Sequence, residues 1–149
     1  DVPASVLFAV ALQESGMTIR GRLIPWPWSL NTDGVPHRYR SRAVACAALR
    51  RGLSQYRNID VGLGQISLRY HGHRVREPCE LLDPYRNLAI TAAILREQYT
   101  RGEDWLVAIG HYHRPAGGEP AARYRRHVQR HLARILGTTE TGSQGDAPR

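Results

Sequence analysis

The stretch Ala11-Leu12-Gln13-Glu14-Ser15-Gly16 ends an unusually apolar run that starts at Val6. Pro3 suits the first turn of a helix and Gly16 suits the position just past its end, so this segment predicts a helix. A helix that is apolar on nearly every face is normally buried on nearly every face. We therefore expect the first helix to run through the core of the fold, with Glu14 in its last turn.

Glu14 is a carboxylate in an unfavourable place. Burial disfavours its charged form, and the negative end of the helix dipole disfavours it again. Both effects raise the pKa, and a carboxylic acid that keeps its proton near neutral pH is suited to acid catalysis. The alternative from this stretch alone is that the side chain turns into solvent where the helix ends.

The composition indicates one strongly basic domain. The chain has 149 residues, a size typical of a single domain, and a formal net charge of +8. All 21 basic residues are Arg, and this charge favours an anionic partner: nucleic acid, a membrane surface or a polymer rich in carboxylates. The apolar run is too short to span a bilayer, and Asp1 stands where a signal peptide needs a basic segment. We expect the chain to begin at, or to have been trimmed to, its mature domain.

Capping residues, prolines and glycines divide the rest of the chain into short segments. Helices are predicted from about Arg42 to Arg51, from Asp83-Pro84 to Gly102, from Trp105 to about Tyr112, and from Pro120 to Gly137. The Pro/Trp-rich segment 24–34 predicts a loop ending in a turn, and the segment 59–63 predicts a short extended piece. The predicted fold class is mainly α: one domain of about five or more helices over residues 1–136, with at most a minimal β-hairpin. The composition of residues 137–149 predicts a disordered C-terminal tail.

Four segments, taken in order, carry a resemblance to a known family. They are Glu14-Ser15-Gly16, Gly62-Leu63-Gly64-Gln65-Ile66, Leu82-Asp83-Pro84 with Asn87, and Ala108-Ile109-Gly110-His111-Tyr112-His113 followed by Tyr124. In this order and spacing, residues 3–136 resemble the lytic transglycosylase domain of the soluble-lytic-transglycosylase type, which is related to goose-type lysozyme. The segments 27–31 and 58–63 look most like the specialised members that serve conjugation, type IV secretion and pilus assembly.

The resemblance implies a lysozyme-like domain and a peptidoglycan-cleaving enzyme. Such an enzyme breaks the β-1,4 bond from N-acetylmuramic acid to N-acetylglucosamine without adding water, leaves 1,6-anhydro ends, and needs no metal or other cofactor. The resemblance assigns Glu14 as the catalytic acid and implies that Gln65 and Tyr112 bind or orient the substrate. It also implies supporting roles for Ser29 at the substrate and for Ser15 beside or behind the acid. The less favoured alternatives are that Gln65 is a core amide that satisfies loop backbone and that Tyr112 is an ordinary packing residue.

The chain departs from the family's motifs at three places. Gly64 stands where Gly-Leu-Met-Gln has Met, and His113 stands where Ala-Tyr-Asn has Asn. The Glu-Thr-Arg-x-Tyr pattern is degraded around Tyr124, where Glu119 is one residue out of register. A catalytically weak scaffold that binds peptidoglycan within a secretion machine is therefore an alternative to an enzyme.

Other side chains leave further alternatives open. A hydrolytic muramidase would need a second carboxylate, for which Asp60 and Asp33 are the nearby candidates in the sequence. Trp26 and Trp28 could be core anchors or could stack on sugar rings. The Arg-rich last helix could meet phosphates or could present a solvated face. A small nucleic-acid binder fits the charge but matches no recognised motif.

The histidines give little indication of a metal site. His111 and His113 are two residues apart and point to different faces of a helix. His127 and His131 are four residues apart, but the surrounding Arg side chains would repel a cation. The sequence therefore predicts no metal.

The expected partners and compartment follow from the resemblance. They are peptidoglycan glycan strands, whose peptide carboxylates suit a basic protein, and proteins of a secretion, conjugation or pilus complex, but not nucleic acid. The protein is expected to be a monomer exported to the periplasm. If it is exported, a disulfide between Cys46 and Cys79 is favoured.

Overall fold

The computed structural model of the chain describes residues 1–142, and the side chains of residues 1–137. The described part contains six α-helices and six β-strands. The helices are α1 (Ala4–Ser15), α2 (Arg42–Gly52), α3 (Leu68–His71), α4 (Pro84–Gln98), α5 (Trp105–His113) and α6 (Glu119–Gly142). Two short 3-10 helices, Gly72–Arg74 and Pro78–Leu82, lie between α3 and α4.

The prediction of a mainly α fold with at most a minimal hairpin is wrong, because the chain forms two antiparallel sheets and is a mixed α and β domain. The strands are β1 (Gly16–Ile19), β2 (Arg22–Pro25), β3 (Ser29–Thr32), β4 (Val35–Arg38), β5 (Ile59–Val61) and β6 (Ile66–Ser67). Strands β1 and β2 form a two-stranded hairpin, and the other four form a sheet in the order β4-β3-β5-β6.

Two tight turns explain the missed strands. Arg20 and Gly21 both have positive φ, as do Asp33 and Gly34, and each pair forms the two-residue turn of a hairpin. Two successive residues with positive φ match the right-handed twist of antiparallel strands. In the sequence, the Asp33-Gly34 pair indicates only a turn. The flanking four-residue strands are interrupted by proline and show little alternation of apolar and polar residues. The turn prediction itself is confirmed.

The predicted helices are present, but α4 ends at Gln98 rather than at Gly102, and side-chain caps start three of them. Side chains of Ser41, Asp83 and Asp104 accept hydrogen bonds from backbone N–H groups in the first turns of α2, α4 and α5. These bonds satisfy donors that the helix itself leaves unpaired. Helix α1 ends at Ser15, and Gly16 starts strand β1 directly.

Two clusters of buried side chains form the core. One joins the four-stranded sheet to α2, the second 3-10 helix and α4, and the other joins α1, α4, α5 and α6. Tyr112 packs against both clusters. The segments that carry the motifs therefore meet where the two parts of the core join.

The disulfide between Cys46 and Cys79 is present and ties α2 to the second 3-10 helix. Helix α6 continues to Gly142 instead of ending at Gly137. The rest of the predicted disordered tail, residues 143–149, lies outside the described residues. Among the described helices, none is long and apolar enough to cross a membrane.

Candidate active site

The glycine-containing loop after β5 is held in place from α4. The buried Asn87 side chain accepts a hydrogen bond from Gly64 N at 2.8 Å and donates to the carbonyl oxygen of Val61 at 2.8 Å. Gly62 has a φ of +77°, and a Cβ there would lie 2.6 Å from the Leu81 carbonyl oxygen. The loop therefore needs glycine at position 62 for both backbone conformation and close approach.

Thr91 explains why position 64 is glycine. A Cβ built on Gly64 would overlap the Thr91 hydroxyl oxygen and would lie 3.0 Å from Thr91 Cβ and 3.0 Å from Thr91 Cγ2. Thr91 is fully buried on α4, where its hydroxyl donates to the Asn87 carbonyl oxygen at 2.9 Å. Because Thr91 occupies the space, position 64 has no room for a side chain in this chain.

Ser15 fastens the end of α1 to the same loop. Its side chain is fully buried, and its hydroxyl lies 2.8 Å from the Leu63 carbonyl oxygen and 2.9 Å from the Ala11 carbonyl oxygen. The arrangement supports the role behind the acid and leaves the hydroxyl buried away from any substrate. The contact with the Leu63 carbonyl oxygen holds the last turn of α1, which carries Glu14, against the loop.

Glu14 is half-buried and faces a tyrosine of the last helix. The hydroxyl of Tyr124, itself buried on α6, donates a hydrogen bond of 2.7 Å to Glu14 Oε1. The His113 ring stacks on the Tyr124 ring with 4.5 Å between centroids and 5° between planes. The carboxyl group thus has a directional partner that is itself supported by a neighbouring ring.

The predicted rise in the pKa of Glu14 is confirmed. Burial raises the pKa to about 8; the Tyr124 hydrogen bond opposes this rise and the negative charge of Asp60 adds to it. Burial also raises the pKa of Asp60 to about 6. At pH 7 the predominant forms are therefore a protonated Glu14 and an ionised Asp60.

Asp60 reaches the site from the middle of the four-stranded sheet. It lies on β5 between Ile59 and Val61, which are buried in the core, so its side chain points to the opposite face of the sheet. Its Cα is paired with those of Asn31 on β3 and Ser67 on β6. The sheet, which sequence patterning missed, brings this second carboxylate near enough to Glu14 for its charge to raise the Glu14 pKa.

Asp33, the other carboxylate considered, has a structural role in a turn. Its carboxylate accepts hydrogen bonds from the backbone N–H groups of Asn58, at 2.8 Å, and Arg57, at 3.4 Å. It therefore holds the β3–β4 turn against the segment before β5. Of the two carboxylates considered for a hydrolytic reaction, only Asp60 acts electrostatically on Glu14.

Tyr112 stands on the loop side of the site. Its hydroxyl donates to the Gly64 carbonyl oxygen at 2.6 Å. Burial, and after it the negative charge of Glu14, raises the pKa of Tyr112 well above its usual range, so the hydroxyl stays protonated. The charge of Glu14 therefore affects the pKa of Tyr112, while the Tyr112 hydroxyl donates its hydrogen bond to the loop.

Gln65 and Ser29 are joined through the loop backbone. The Gln65 amide nitrogen donates to the carbonyl oxygens of Gly62, at 2.9 Å, and Ser29, at 3.3 Å. Gln65 has a φ of +49°, a conformation that non-glycine residues adopt at a cost and that is often found at functional sites. Its Oε1 has no hydrogen-bond partner among the described residues, so one acceptor is left for a ligand.

The other polar side chains of the Pro/Trp-rich segment serve mainly structural roles. The buried Ser29 hydroxyl donates to the Trp26 carbonyl oxygen at 2.7 Å. Trp26 Nε1 donates to the Tyr39 carbonyl oxygen, and the rings of Trp26 and Trp28 meet edge to face at 5.5 Å. Trp28 packs on the core cluster, which favours the interpretation as an anchor.

Sequence reasoning missed the partners of the acid. The sequence shows Tyr124 only as part of a degraded pattern, and nothing local in it indicates that this hydroxyl meets Glu14. The hydrogen bonds from Tyr124 to Glu14 and from Asn87 to Gly64 span 110 and 23 residues. Local periodicity carries no signal for contacts at such separations.

The described residues offer one group of three potential metal ligands, Cys46, Glu77 and Cys79. Both cysteines are engaged in the disulfide and supply no thiolate.

Comparison of the chain with protein families, with curated proteins and with solved structures found no significant match.

Proposed function

We propose that this protein is a peptidoglycan lytic transglycosylase with Glu14 as its catalytic acid and base. The observation that carries the proposal is the carboxyl group of Glu14, half-buried, hydrogen-bonded by Tyr124 and with a pKa raised to about 8. A group with this pKa is protonated when the enzyme starts and can take the proton back in a later step. The motif resemblance supplies the substrate class.

In the proposed reaction, protonated Glu14 donates its proton to the glycosidic oxygen between N-acetylmuramic acid and N-acetylglucosamine. The bond from C1 of the muramyl residue to that oxygen breaks and leaves an oxocarbenium-like centre. Ionised Glu14 then removes the proton from the C6 hydroxyl of the same residue, whose oxygen closes on C1. The products are a 1,6-anhydro end and a free 4-hydroxyl, with no water consumed. One carboxyl group suffices for both proton transfers.

The loop residues would bind the sugar beside this acid. Gln65 Oε1 is an available acceptor for a hydroxyl or amide N–H of the substrate. Tyr112, tied to the Gly64 carbonyl, would form the wall next to it. We assign these two residues to substrate binding or positioning, and Ser29 and Ser15 to the support of the loop and of the helix end.

Hydrolysis is the second candidate reaction, and Asp60 favours it. A protonated carboxylic acid facing an ionised carboxylate is the arrangement that ordinary glycosidases use, where the second group stabilises the cation, attacks C1 or activates water. The pKa values of about 8 for Glu14 and about 6 for Asp60 give these two forms at pH 7. The products distinguish the reactions, because hydrolysis leaves reducing ends.

The proposed setting is the cell envelope. The net charge of +8 suits a substrate that carries peptide carboxylates. We propose export to the periplasm, where the disulfide is stable, and local opening of the wall for a secretion, conjugation or pilus complex. A weakly catalytic peptidoglycan-binding component of the same complex is the non-enzymatic alternative.

Digestion of purified sacculi, with mass spectrometry of the released fragments, tests the proposal. The wild-type chain should release anhydro-muropeptides, and Glu14→Gln should release none while remaining folded by circular dichroism. Release of reducing ends would replace the proposal by hydrolysis. Binding to sacculi without any product would replace it by a scaffold.

Two matched variants separate the roles of the second carboxylate. Asp60→Asn should leave the anhydro products in place if Glu14 works alone, and should abolish the reaction if it is hydrolytic. Asp33→Asn removes the same charge from a turn and should leave the type of product unchanged.

A further inference from the structure

A second group of polar side chains lies between α1 and α6, outside the proposed active site. It lines a pocket of about 250 Å³ and consists of Gln13, His127, Arg130, His131 and Arg134. Gln13 precedes Glu14 in α1, but successive side chains of a helix point about 100° apart. Both Gln13 and Glu14 meet α6, but their partners His131 and Tyr124 are seven residues apart, which separates them by about two helical turns.

The four α6 residues of the pocket form one stripe. They are spaced at i, i+3, i+4 and i+7, which places them on one face of the helix. His131 Nε2 lies 3.0 Å from Gln13 Oε1, so the stripe is tied to α1. None of the five lining residues is acidic. The pocket thus gathers two guanidinium groups and two imidazoles without a carboxylate among them.

Positive groups surround the half-buried His131 side chain. Burial, then the positive charges of Arg134 and His127, lowers the pKa of His131. His131 Nδ1 is buried and has no hydrogen-bond partner among the described residues. Like charges one helical turn apart destabilise a helix, and an unpartnered buried polar atom destabilises the fold further. A bound anion would relieve the repulsion and would favour the charged, doubly protonated form of His131.

We propose that this pocket binds a tetrahedral oxyanion of the phosphate or sulfate type, held mainly by Arg130, His127 and His131. Donors that converge from two helices suit an ion with four oxygens and two charges better than a carboxylate, which has two oxygens and one charge. The Gln13 side-chain amide, whose Oε1 faces His131, can donate an N–H to the same ion. The lining of this pocket contains neither Glu14 nor a residue of the glycine-containing loop, so the proposal adds an anion-binding function at the contact between α1 and α6.

Titration of the full chain with sulfate, followed by nuclear magnetic resonance of the histidine side chains, tests this proposal. Sulfate is the probe because its charge is constant between pH 5.5 and pH 8. Binding should be saturable with one ion per chain, should tighten as the pH falls and His131 becomes charged, and should raise the pKa of His131. Inorganic phosphate should compete for the same site.

Arg130→Gln should weaken sulfate binding about tenfold or more, because a charge-assisted hydrogen bond is lost. Arg123→Gln is the matched control, since it makes the same charge change on the same helix outside the pocket and should bind like the wild type. His131→Gln should flatten the pH dependence. Glu14→Gln should bind sulfate normally, so the result does not depend on whether the chain cleaves peptidoglycan.

Three outcomes would overturn the proposal. Shifts that rise with sulfate without saturating would indicate ionic strength alone. An equal loss in the Arg130 and Arg123 variants would indicate attraction by the net charge of the protein. Acetate competing as well as phosphate would indicate a general carboxylate site.

Discussion

The hydroxyl of Tyr124, 110 residues along the chain from Glu14, donates a hydrogen bond of 2.7 Å to Glu14 Oε1. This bond stabilises the ionised carboxylate, while burial disfavours it, and burial prevails. The pKa of about 8 is therefore the result of two opposed effects that arise from different elements of the fold.

Tyr124→Phe removes the hydrogen bond and should raise the pKa of Glu14 further. The carboxyl would hold its proton more firmly, so proton donation should slow and activity should persist to higher pH. We expect a loss of roughly tenfold to a hundredfold in rate near pH 7. The pH profile of anhydro-muropeptide release, together with carboxyl carbon chemical shifts, measures both effects. A fall in the Glu14 pKa would contradict this account.

The Asp60→Asn variant should lower the pKa of Glu14, because the neighbouring negative charge that raises it is gone. If Glu14 works alone, its activity profile should move to lower pH. Carboxyl chemical shifts of Glu14, compared between this variant and Asp33→Asn, report the change directly. Equal shifts in both variants would show that Asp60 has no special influence.

Glu14 should make the folded state less stable as the pH rises. The folded protein keeps a proton up to about pH 8, whereas the unfolded chain releases it near 4.5. Stability is therefore lost progressively between these two values, by about 1.4 kcal/mol for each pH unit. Glu14→Gln should be several kcal/mol more stable than the wild type at pH 8 and about equal at pH 4. Urea unfolding at both pH values measures this, and parallel curves for the two proteins would refute it.

Reduction of the disulfide should destabilise the fold. Cys46 and Cys79 are 33 residues apart, and closing a loop of this length stabilises by about 3–4 kcal/mol in the chain-entropy model. A reductant should lower the melting temperature by about 10 °C. Alkylation before and after reduction counts the free thiols. An unchanged melting temperature with both thiols open to alkylation would exclude a stabilising bridge.

Gly64→Ala should destabilise the protein by about 1–3 kcal/mol, because the new Cβ overlaps Thr91. Gly72→Ala is the control, since no atom lies within 4 Å of a Cβ built there. In a double-mutant cycle, Thr91→Ala should recover part of the loss at position 64. Denaturant midpoints of the four proteins measure the coupling, and independent, additive effects would show that the two positions do not compete for space.

Much of the helical framework could be predicted because its signals are local. Ser41, Asp83 and Asp104 cap helices within three residues of themselves, and these caps are present. The hairpins could not be predicted with the same ease, since four-residue strands gain their stability from pairing with other segments. The Arg20-Gly21 turn shows the difficulty, because it relies on an Arg with positive φ.

The sequence by itself determined the first helix, its end at Ser15 and the place of Glu14 in its last turn. The apolar run and the flanking Pro3 and Gly16 act over a few residues. The expectation that this helix is buried on nearly every face is wrong at Phe8, which is 44% exposed. The tertiary structure alone decided which groups act on the carboxyl: Tyr124 from α6 by a hydrogen bond, and Asp60, from a sheet that patterning missed, by its charge. These contacts depend on how distant elements pack, and they decide the pKa on which the proposed chemistry rests.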